Sequence, residues 1–190
     1  MSTSYLKVSP LGVIVSHTTA GIYALILGIE DDDSRRIPIL IAALEAQAIV
    51  AFLRKERFSR PLLHDIMAEI LLLSGISLRK VVIYKKEKKI YHSRLVLCNS
   101  EGSVTEIEAR TSDAIALAIR MEAPIFMSVD LAMQEAIVFE KDDTVEVHTG
   151  QNKYANYSDE DLEEALQLSI RNEQYEQATL IRDEMKKRKT

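Results

Sequence analysis

Residues 36–53 read RIPILIAALEAQAIVAFL, and the spacing of the apolar residues changes within this stretch. Its first residues are rich in Ile and Leu around Pro38, which favours a short strand near a sheet edge or a strand end, because proline donates no ladder hydrogen bond. Further on, Leu44, Ala48 and Phe52 repeat every four residues, which predicts a helix. A strand that runs directly into a helix indicates a fold that contains both kinds of element.

The pattern extends in both directions from this stretch. Apolar runs bounded by turn residues predict strands at residues 5–15, 22–29, 36–40, 78–84, 90–97, 104–109 and 124–128. Four-residue apolar spacing predicts helices at 41–57, 61–74, 111–121 and 130–137. Residues 144–148 are a candidate last strand. We expect an α+β fold with mixed or antiparallel sheets and packed helices.

Charge separates a main domain from a C-terminal segment. The chain has 190 residues, of which 47% are hydrophobic, and a net charge of −5. Residues 1–138 carry 16 basic and 16 acidic side chains, whereas residues 139–190 carry 8 and 13. We predict a domain at 1–138, a linker at 139–157 and an α-helical hairpin at 158–190. Because the main domain is neutral, the acidic total does not exclude a nucleic-acid partner.

Composition excludes several other classes of protein. No apolar run approaches the roughly 20 residues of a membrane-spanning helix, and residues 1–9 lack the pattern of a secretory signal. One cysteine, Cys98, cannot form an internal disulfide and is expected in the core. We therefore predict a cytoplasmic location without membrane association. The sequence contains no GxGxxG, GxxxxGK, HExxH or GxSxG motif.

Glu45 is the most informative charged residue. It shares a predicted helical row with Ile41, Ile49 and Leu53, where a carboxylate is costly unless it is paired, binds a metal or becomes neutral. The alternative is an edge residue that reaches solvent or pairs with a nearby arginine, Arg60 or Arg110.

The stretch RPLLHD at residues 60–65 predicts a second helix that begins at Pro61, with His64 and Asp65 at the end of its first turn. A helix N-terminus attracts anions, and a histidine beside an aspartate can serve as acid, base or metal ligand. The alternative is dipole compensation by Asp65 beside a half-buried His64. The predicted buried face of this helix consists of Leu63, Ile66, Met67 and Ile70.

The stretch EARTSD at residues 108–113 lies at a strand-to-helix junction, with Thr111 or Ser112 as the predicted cap. Arg110 can bind a phosphate with two parallel hydrogen bonds. The alternative is ordinary helix chemistry, with Asp113 near the start and Arg120 near the end. Two basic stretches, residues 54–60 and 85–89, can follow a phosphate backbone or simply be solvated surface.

Three stretches together resemble the bifunctional nuclease family in sequence, order and spacing: IAALEAQAI at residues 41–49, RPLLHD at 60–65 and RTSDAIALAIR at 110–120. The resemblance covers residues 5–138. Two positions depart from the family pattern, because Ala42 stands where glycine is usual and Thr111 stands where proline is usual. The family implies cleavage of DNA and RNA.

The site implied by this resemblance draws on all three stretches. Glu45, Asp65 and Asp113 would be catalytic and would hold Mg²⁺ or Mn²⁺, since both metals prefer oxygen ligands. His64 would be the general acid or base. Arg60, Arg110 and Ser112 would bind the substrate.

The C-terminal segment is similar to the UVR motif, the helical hairpin through which UvrB and UvrC associate. The similarity rests on YEQA at residues 175–178 and LIRDEM at 180–185. It implies a protein partner for residues 158–190, because so thin an apolar seam can barely bury itself.

Two functions from different classes therefore remain open. The first is a nuclease that acts on DNA or RNA. The second is a non-catalytic anion-binding or adaptor protein that acts through the hairpin. A homo-oligomeric scaffold is a third option, and exposed strand edges favour a homodimer in any of these cases.

Overall fold

The computed structural model describes residues 4–15, 22–56, 59–138, 158–171, 178, 181–182 and 185–186. The chain divides into two compact units, residues 1–149 and 150–190, which are described separately below. The predicted linker at 139–157 and the candidate strand at 144–148 lie outside the described residues.

The described part of the first unit contains eight strands and four helices. The strands are β1 (Tyr5–Val15), β2 (Ile22–Ile29), β3 (Asp32–Ala42), β4 (Ser77–Glu87), β5 (Ile90–Cys98), β6 (Val104–Arg110), β7 (Ile125–Ser128) and β8 (Ile137–Val138). The helices are α1 (Ala43–Leu53), α2 (Leu63–Leu73), α3 (Thr111–Arg120) and α4 (Val129–Glu135). None of the helices in the described ranges is long and apolar enough to cross a membrane.

All eight strands form one mixed sheet in the order β6-β5-β4-β7-β1-β2-β3-β8. Two antiparallel meanders, β1-β2-β3 and β4-β5-β6, make up most of it, and β7 joins them by pairing antiparallel with β1 and parallel with β4. The prediction of a mixed α+β fold is confirmed.

The core lies between this sheet and the helices. Helix α3 is its centre, because Ile115 and Leu117 are almost fully buried and Ala114, Ala116 and Ala118 are fully buried. These small side chains let α1 and α2 pack closely against α3. Burying one large aliphatic side chain of this kind contributes about 1.5–3 kcal/mol. Cys98 is also buried, as expected.

The structure corrects the predicted start of two helices. Helix α2 begins at Leu63 rather than at Pro61, because Leu62 has an extended backbone and the Asp65 carboxylate accepts a hydrogen bond from its N–H at 2.7 Å. Helix α3 is preceded by Arg110 rather than by a Thr111 or Ser112 cap. The Thr111 hydroxyl instead donates to the Tyr91 carbonyl oxygen at 3.1 Å, which ties the helix to β5.

The predicted buried face of α2 is wrong. Leu63, Ile66, Met67 and Ile70 are all exposed, and the buried residues of this helix are His64 and Ala68. Apolar side chains occur around most of α2, so periodicity alone does not identify its inner face. The polar contacts of His64 decide it, together with the close approach that Ala68 allows.

The second unit contains helix α5 (Asp159–Arg171), and Ala178, Ile181, Arg182, Met185 and Lys186 are also helical. Leu162 and Ile181 are fully buried in a small apolar cluster, and Ala165, Leu166 and Met185 pack against them. The first helix of the predicted hairpin is therefore present, whereas most of the second lies outside the described residues.

Candidate active site at three helix N-termini

The N-terminal turns of α1, α2 and α3 carry four polar residues that contact one another. Glu45 is the third residue of α1, His64 is the second residue of α2 and Asp113 is the third residue of α3. Arg110 directly precedes α3. Because helix N-termini carry partial positive charge and unsatisfied N–H groups, this region can stabilise the two carboxylates and can also accept an anionic ligand.

Arg110 joins the carboxylates of two helices. Its Nη2 atom lies 2.9 Å from Glu45 Oε1, and its Nε atom lies 2.6 Å from Asp113 Oδ2. The hydrogen bond to Asp113, together with the negative charges of Asp113 and Glu45, raises the pKa of Arg110. Even so, 71% of the side chain is exposed, so the guanidinium remains accessible to a ligand.

His64 is linked to the same network through Asp113. The Nε2 atom of His64 lies 3.2 Å from Asp113 Oδ1, and the imidazole side chain is only 11% exposed. A carboxylate at this distance orients the imidazole ring. The pair has the geometry of a histidine that transfers protons while an aspartate holds it in place.

Glu45 has one oxygen to spare. The residue is 9% exposed, and its Oε2 atom is buried with no hydrogen-bond partner among the described residues. Leaving a buried acceptor unsatisfied costs about 1–3 kcal/mol. The spare oxygen can therefore accept a hydrogen bond or a proton from a bound ligand.

Asp65 belongs to the framework that supports the site. One of its oxygens accepts a hydrogen bond from the Arg120 Nε atom and the other from the Leu62 N–H. Arg120 also donates to the carbonyl oxygens of Ala116 at 2.8 Å and Ala48 at 3.1 Å, so one guanidinium ties α1, α2 and α3 together. Burial alone would raise the pKa of Asp65, but the bonds from Arg120 and Leu62 outweigh it and lower the pKa.

The remaining predicted site residues do not join this network. Arg60 is exposed, Ser112 is half-buried, and neither makes a hydrogen bond or ion pair within the described ranges. Their predicted roles in substrate binding stay predictions. Sequence analysis missed the framework role of Arg120, although its position seven residues after Asp113 on α3 was noted.

The three predicted metal-binding carboxylates do not form a ready metal site. In the part of the chain that the structure describes, no three His, Cys, Asp or Glu side chains are grouped so that they could hold a metal ion. Asp65 is engaged by Arg120, whereas Glu45 and Asp113 share Arg110. This arrangement does not fit Mg²⁺ or Mn²⁺ held by Glu45, Asp65 and Asp113 together.

Comparisons with known proteins agree with the resemblance found in the sequence. The family model of the bifunctional nuclease domain matches residues 25–140, which is most of the predicted range of 5–138. The match ends before the UVR-like segment and does not test it.

Individual relatives are distant. A rice (Oryza sativa subsp. japonica) protein named bifunctional nuclease 2 is 29% identical over 117 residues, which are 60% of this chain and 36% of the rice protein. Bifunctional nuclease 1 of Arabidopsis thaliana is 26% identical over 117 residues, again 60% of this chain and 36% of the relative. An uncharacterised protein of Mycobacterium tuberculosis is 27% identical over 120 residues, which are 63% of this chain and 71% of that protein. The chain thus spans about a third of the length of the plant relatives.

Proposed function

This chain belongs to the bifunctional nuclease domain family, and on that premise we propose that it hydrolyses phosphodiester bonds in DNA or RNA. The observation that carries the proposal is the continuous contact of His64, Asp113, Arg110 and Glu45 at three helix N-termini. The arrangement combines an exposed cation, a buried proton acceptor and an oriented imidazole. Phosphodiester hydrolysis needs an activated water, stabilisation of charge on the phosphoryl oxygens and protonation of the leaving group, and these groups can supply all three.

Arg110 is the proposed phosphate-binding residue. Its guanidinium and the free N–H groups at the start of α3 would hold the non-bridging oxygens and would stabilise the charge that develops on them in the transition state. The exposure of Arg110 supports this role, because a phosphate in a polymer must approach from solvent.

Glu45 and His64 are the proposed proton-transfer groups. Oε2 of Glu45 would take a proton from water as the water oxygen attacks phosphorus, and protonated His64 would give a proton to the leaving oxygen as its bond to phosphorus breaks. Asp113 would hold the imidazole and stabilise its charge. After release of both products, the proton on Glu45 returns to solvent and His64 takes up another.

A cleavage assay with purified protein tests this proposal and the metal prediction together. Labelled single-stranded DNA, double-stranded DNA and RNA would be incubated with EDTA, Mg²⁺ or Mn²⁺, using wild-type protein and Glu45→Gln. Loss of a positioned general base should lower kcat by 10²-fold or more. Glu56→Gln is the matched control, because Glu56 is an exposed glutamate beyond the end of α1 that pairs with Arg54.

The assay has clear opposing outcomes. Full activity of Glu45→Gln would remove Glu45 from the mechanism, and no cleavage of any substrate by wild type would contradict the nuclease proposal. Activity that needs Mg²⁺ or Mn²⁺ would support a metal that the nucleic acid helps to bind. Equal activity in EDTA would contradict the metal prediction.

The second candidate function is an adaptor that recruits a protein partner through the UVR-like hairpin. One observation favours it, since α5 leaves Leu168 and Ile170 exposed, whereas Leu162, Ala178 and Ile181 are buried among the described residues of this unit. Exposed apolar side chains on an amphipathic helix are typical of a helix that binds a partner. Affinity capture with the full chain and with Leu168→Glu/Ile170→Glu tests it. A partner retained equally by both would contradict the proposal.

We also propose a homodimer formed through the outer face of α2. Leu63, Ile66, Ile70 and Leu73 are exposed at spacings of three, four and three residues, which is the spacing of a helix–helix seam. With Met67, they form a contiguous exposed apolar patch, and such patches often mark interaction surfaces. Such a helix packs on its own copy across a two-fold axis, because each apolar residue then meets an equivalent one. The cytoplasmic location stays a prediction.

A further inference from the structure

The turn between β4 and β5 has a residue choice that its backbone does not favour. Glu87 pairs with Ile90, so Lys88 and Lys89 are the two residues of the turn. Both have positive φ, 48° for Lys88 and 71° for Lys89. Two-residue hairpin turns with this geometry prefer Asn-Gly, because Cβ comes close to the following carbonyl oxygen in the left-handed region, a contact that glycine lacks and asparagine tolerates. The backbone conformation of the turn therefore does not explain why both of its residues are lysines.

Their charges are also uncompensated. Elsewhere in the hairpin, Lys85 pairs with Glu87 at 3.1 Å and Lys86 pairs with Glu135. By contrast, Lys88 and Lys89 are exposed and have no ion pair with any residue that the structure describes. We call these two residues the basic tip.

The basic tip lies at the same end of the sheet as the candidate active site. The Tyr91 carbonyl, two residues beyond Lys89, accepts the hydrogen bond from Thr111 at the start of α3. The next residue, His92, is the register partner of Arg110. Lys89 precedes His92 by three strand residues, a span of about 10 Å, so the tip is within reach of phosphates next to one held by Arg110.

We propose that the basic tip binds the phosphate backbone of a nucleic-acid strand beside the phosphate that Arg110 holds. The placement relative to a cleaved bond rests on the proposed nuclease function, whereas the binding itself does not. A lysine is a compact charge on a long flexible stem, which suits contact with a polyanion irrespective of base sequence. The tip thus contributes affinity and positions the strand without selecting a sequence.

The test replaces the turn with the sequence that fits its backbone. Lys88→Asn/Lys89→Gly removes two charges and keeps the hairpin, and its thermal midpoint should equal or exceed that of wild type. Lys80→Gln/Lys55→Asn is the matched control, because it removes two exposed lysines, changes net charge equally and includes Lys55, another residue with positive φ (57°). Lys55 follows the C-terminal end of α1, about 15 Å of helix from Glu45.

Binding would be measured by fluorescence anisotropy with labelled single-stranded DNA and RNA in EDTA, at salt concentrations from about 50 to about 200 mM. For a single strand, each phosphate contact steepens the slope of log K against log salt by about 0.7. The tip variant lacks two such contacts, so its slope should be shallower than that of wild type by about 1.4. The control should lose less than half as much. Equal losses in both variants, or an unchanged slope in the tip variant, would overturn the proposal.

The same proteins separate this inference from the nuclease proposal. If wild type cleaves nucleic acid but the tip variant keeps its salt slope, the basic tip is excluded and the nuclease stands. If the slope of the tip variant becomes shallower as expected but neither wild type nor the variants cleave nucleic acid, the basic tip is supported as a nucleic-acid contact and the nuclease proposal fails.

Discussion

The Nε2 atom of His64 lies 3.2 Å from the Oδ1 atom of Asp113, although 49 residues separate the two in sequence. The contact crosses from the first turn of α2 to the first turn of α3. Asp113 uses its other oxygen to bind Arg110, so one carboxylate orients both the imidazole and the guanidinium. Removing this carboxylate should disturb two functional groups at once.

Asp113→Asn should lower kcat strongly, because Asp113 contacts both His64 and Arg110. The amide neither stabilises a protonated His64 nor pairs with Arg110, so we expect a loss of about 10²–10⁴-fold in kcat on a labelled oligonucleotide. His64→Gln should lose a similar factor, and the double variant should lose little more, because the two residues act as one unit. Independent, multiplying losses would contradict a shared role.

Substitutions of Arg120 and Arg110 should have different effects on the free energy of unfolding and on activity. Arg120 is 5% exposed and ties three helices together, so Arg120→Ala should lower the free energy of unfolding by about 3–5 kcal/mol. Arg110→Ala removes a largely exposed group but leaves the buried Glu45 without its partner, so it should cost less, about 1–3 kcal/mol. Urea unfolding gives both values. The activity of Arg110→Ala should nevertheless be lost, and a variant that is stable and fully active would exclude Arg110 from the site.

Stability should fall in acid partly because of Asp65. The pKa of Asp65 is lowered in the folded protein from its ordinary value of 3.8, so its contribution is complete above about pH 4 and is lost as the pH falls through the folded value. Asp65→Asn should therefore be less stable than wild type at neutral pH, and the difference should shrink below pH 4. Thermal unfolding from pH 7 down to about pH 2 measures this. A constant difference across that range would show that the charge of Asp65 does not contribute.

The outer face of α2 should control the oligomeric state. Ile66→Glu/Ile70→Glu introduces like charges into the proposed two-fold seam and should convert a dimer into a monomer in light scattering coupled to gel filtration. Ile90→Glu/Ile107→Glu is the matched control, because both residues are exposed isoleucines that lie on strands β5 and β6 and not on α2. A monomeric wild type would contradict the dimer, as would equal effects of the two double variants.

The sequence by itself indicated the family and determined the order and type of every element of the first unit except β8, whose first residue lies in the helix predicted at 130–137. Strand and helix periodicity come from neighbouring residues, so the runs at β1, β2 and β5 and the repeats at α1 and α3 could be predicted without knowledge of distant contacts. The three stretches that carry the family resemblance also supply Glu45, His64 and Asp113. Local pattern was therefore enough to nominate the residues of the site.

Only the tertiary structure decided how those residues are used. Two arginines were candidate partners of Glu45, and the meeting of α1 with the start of α3 selected Arg110 over Arg60. Asp65, nominated for a metal, is bound by Arg120 from another helix. The inner face of α2 followed from its partners, because a helix that is apolar on several sides can bury any of them. Such choices depend on contacts between residues far apart in sequence, and local periodicity carries no information about them.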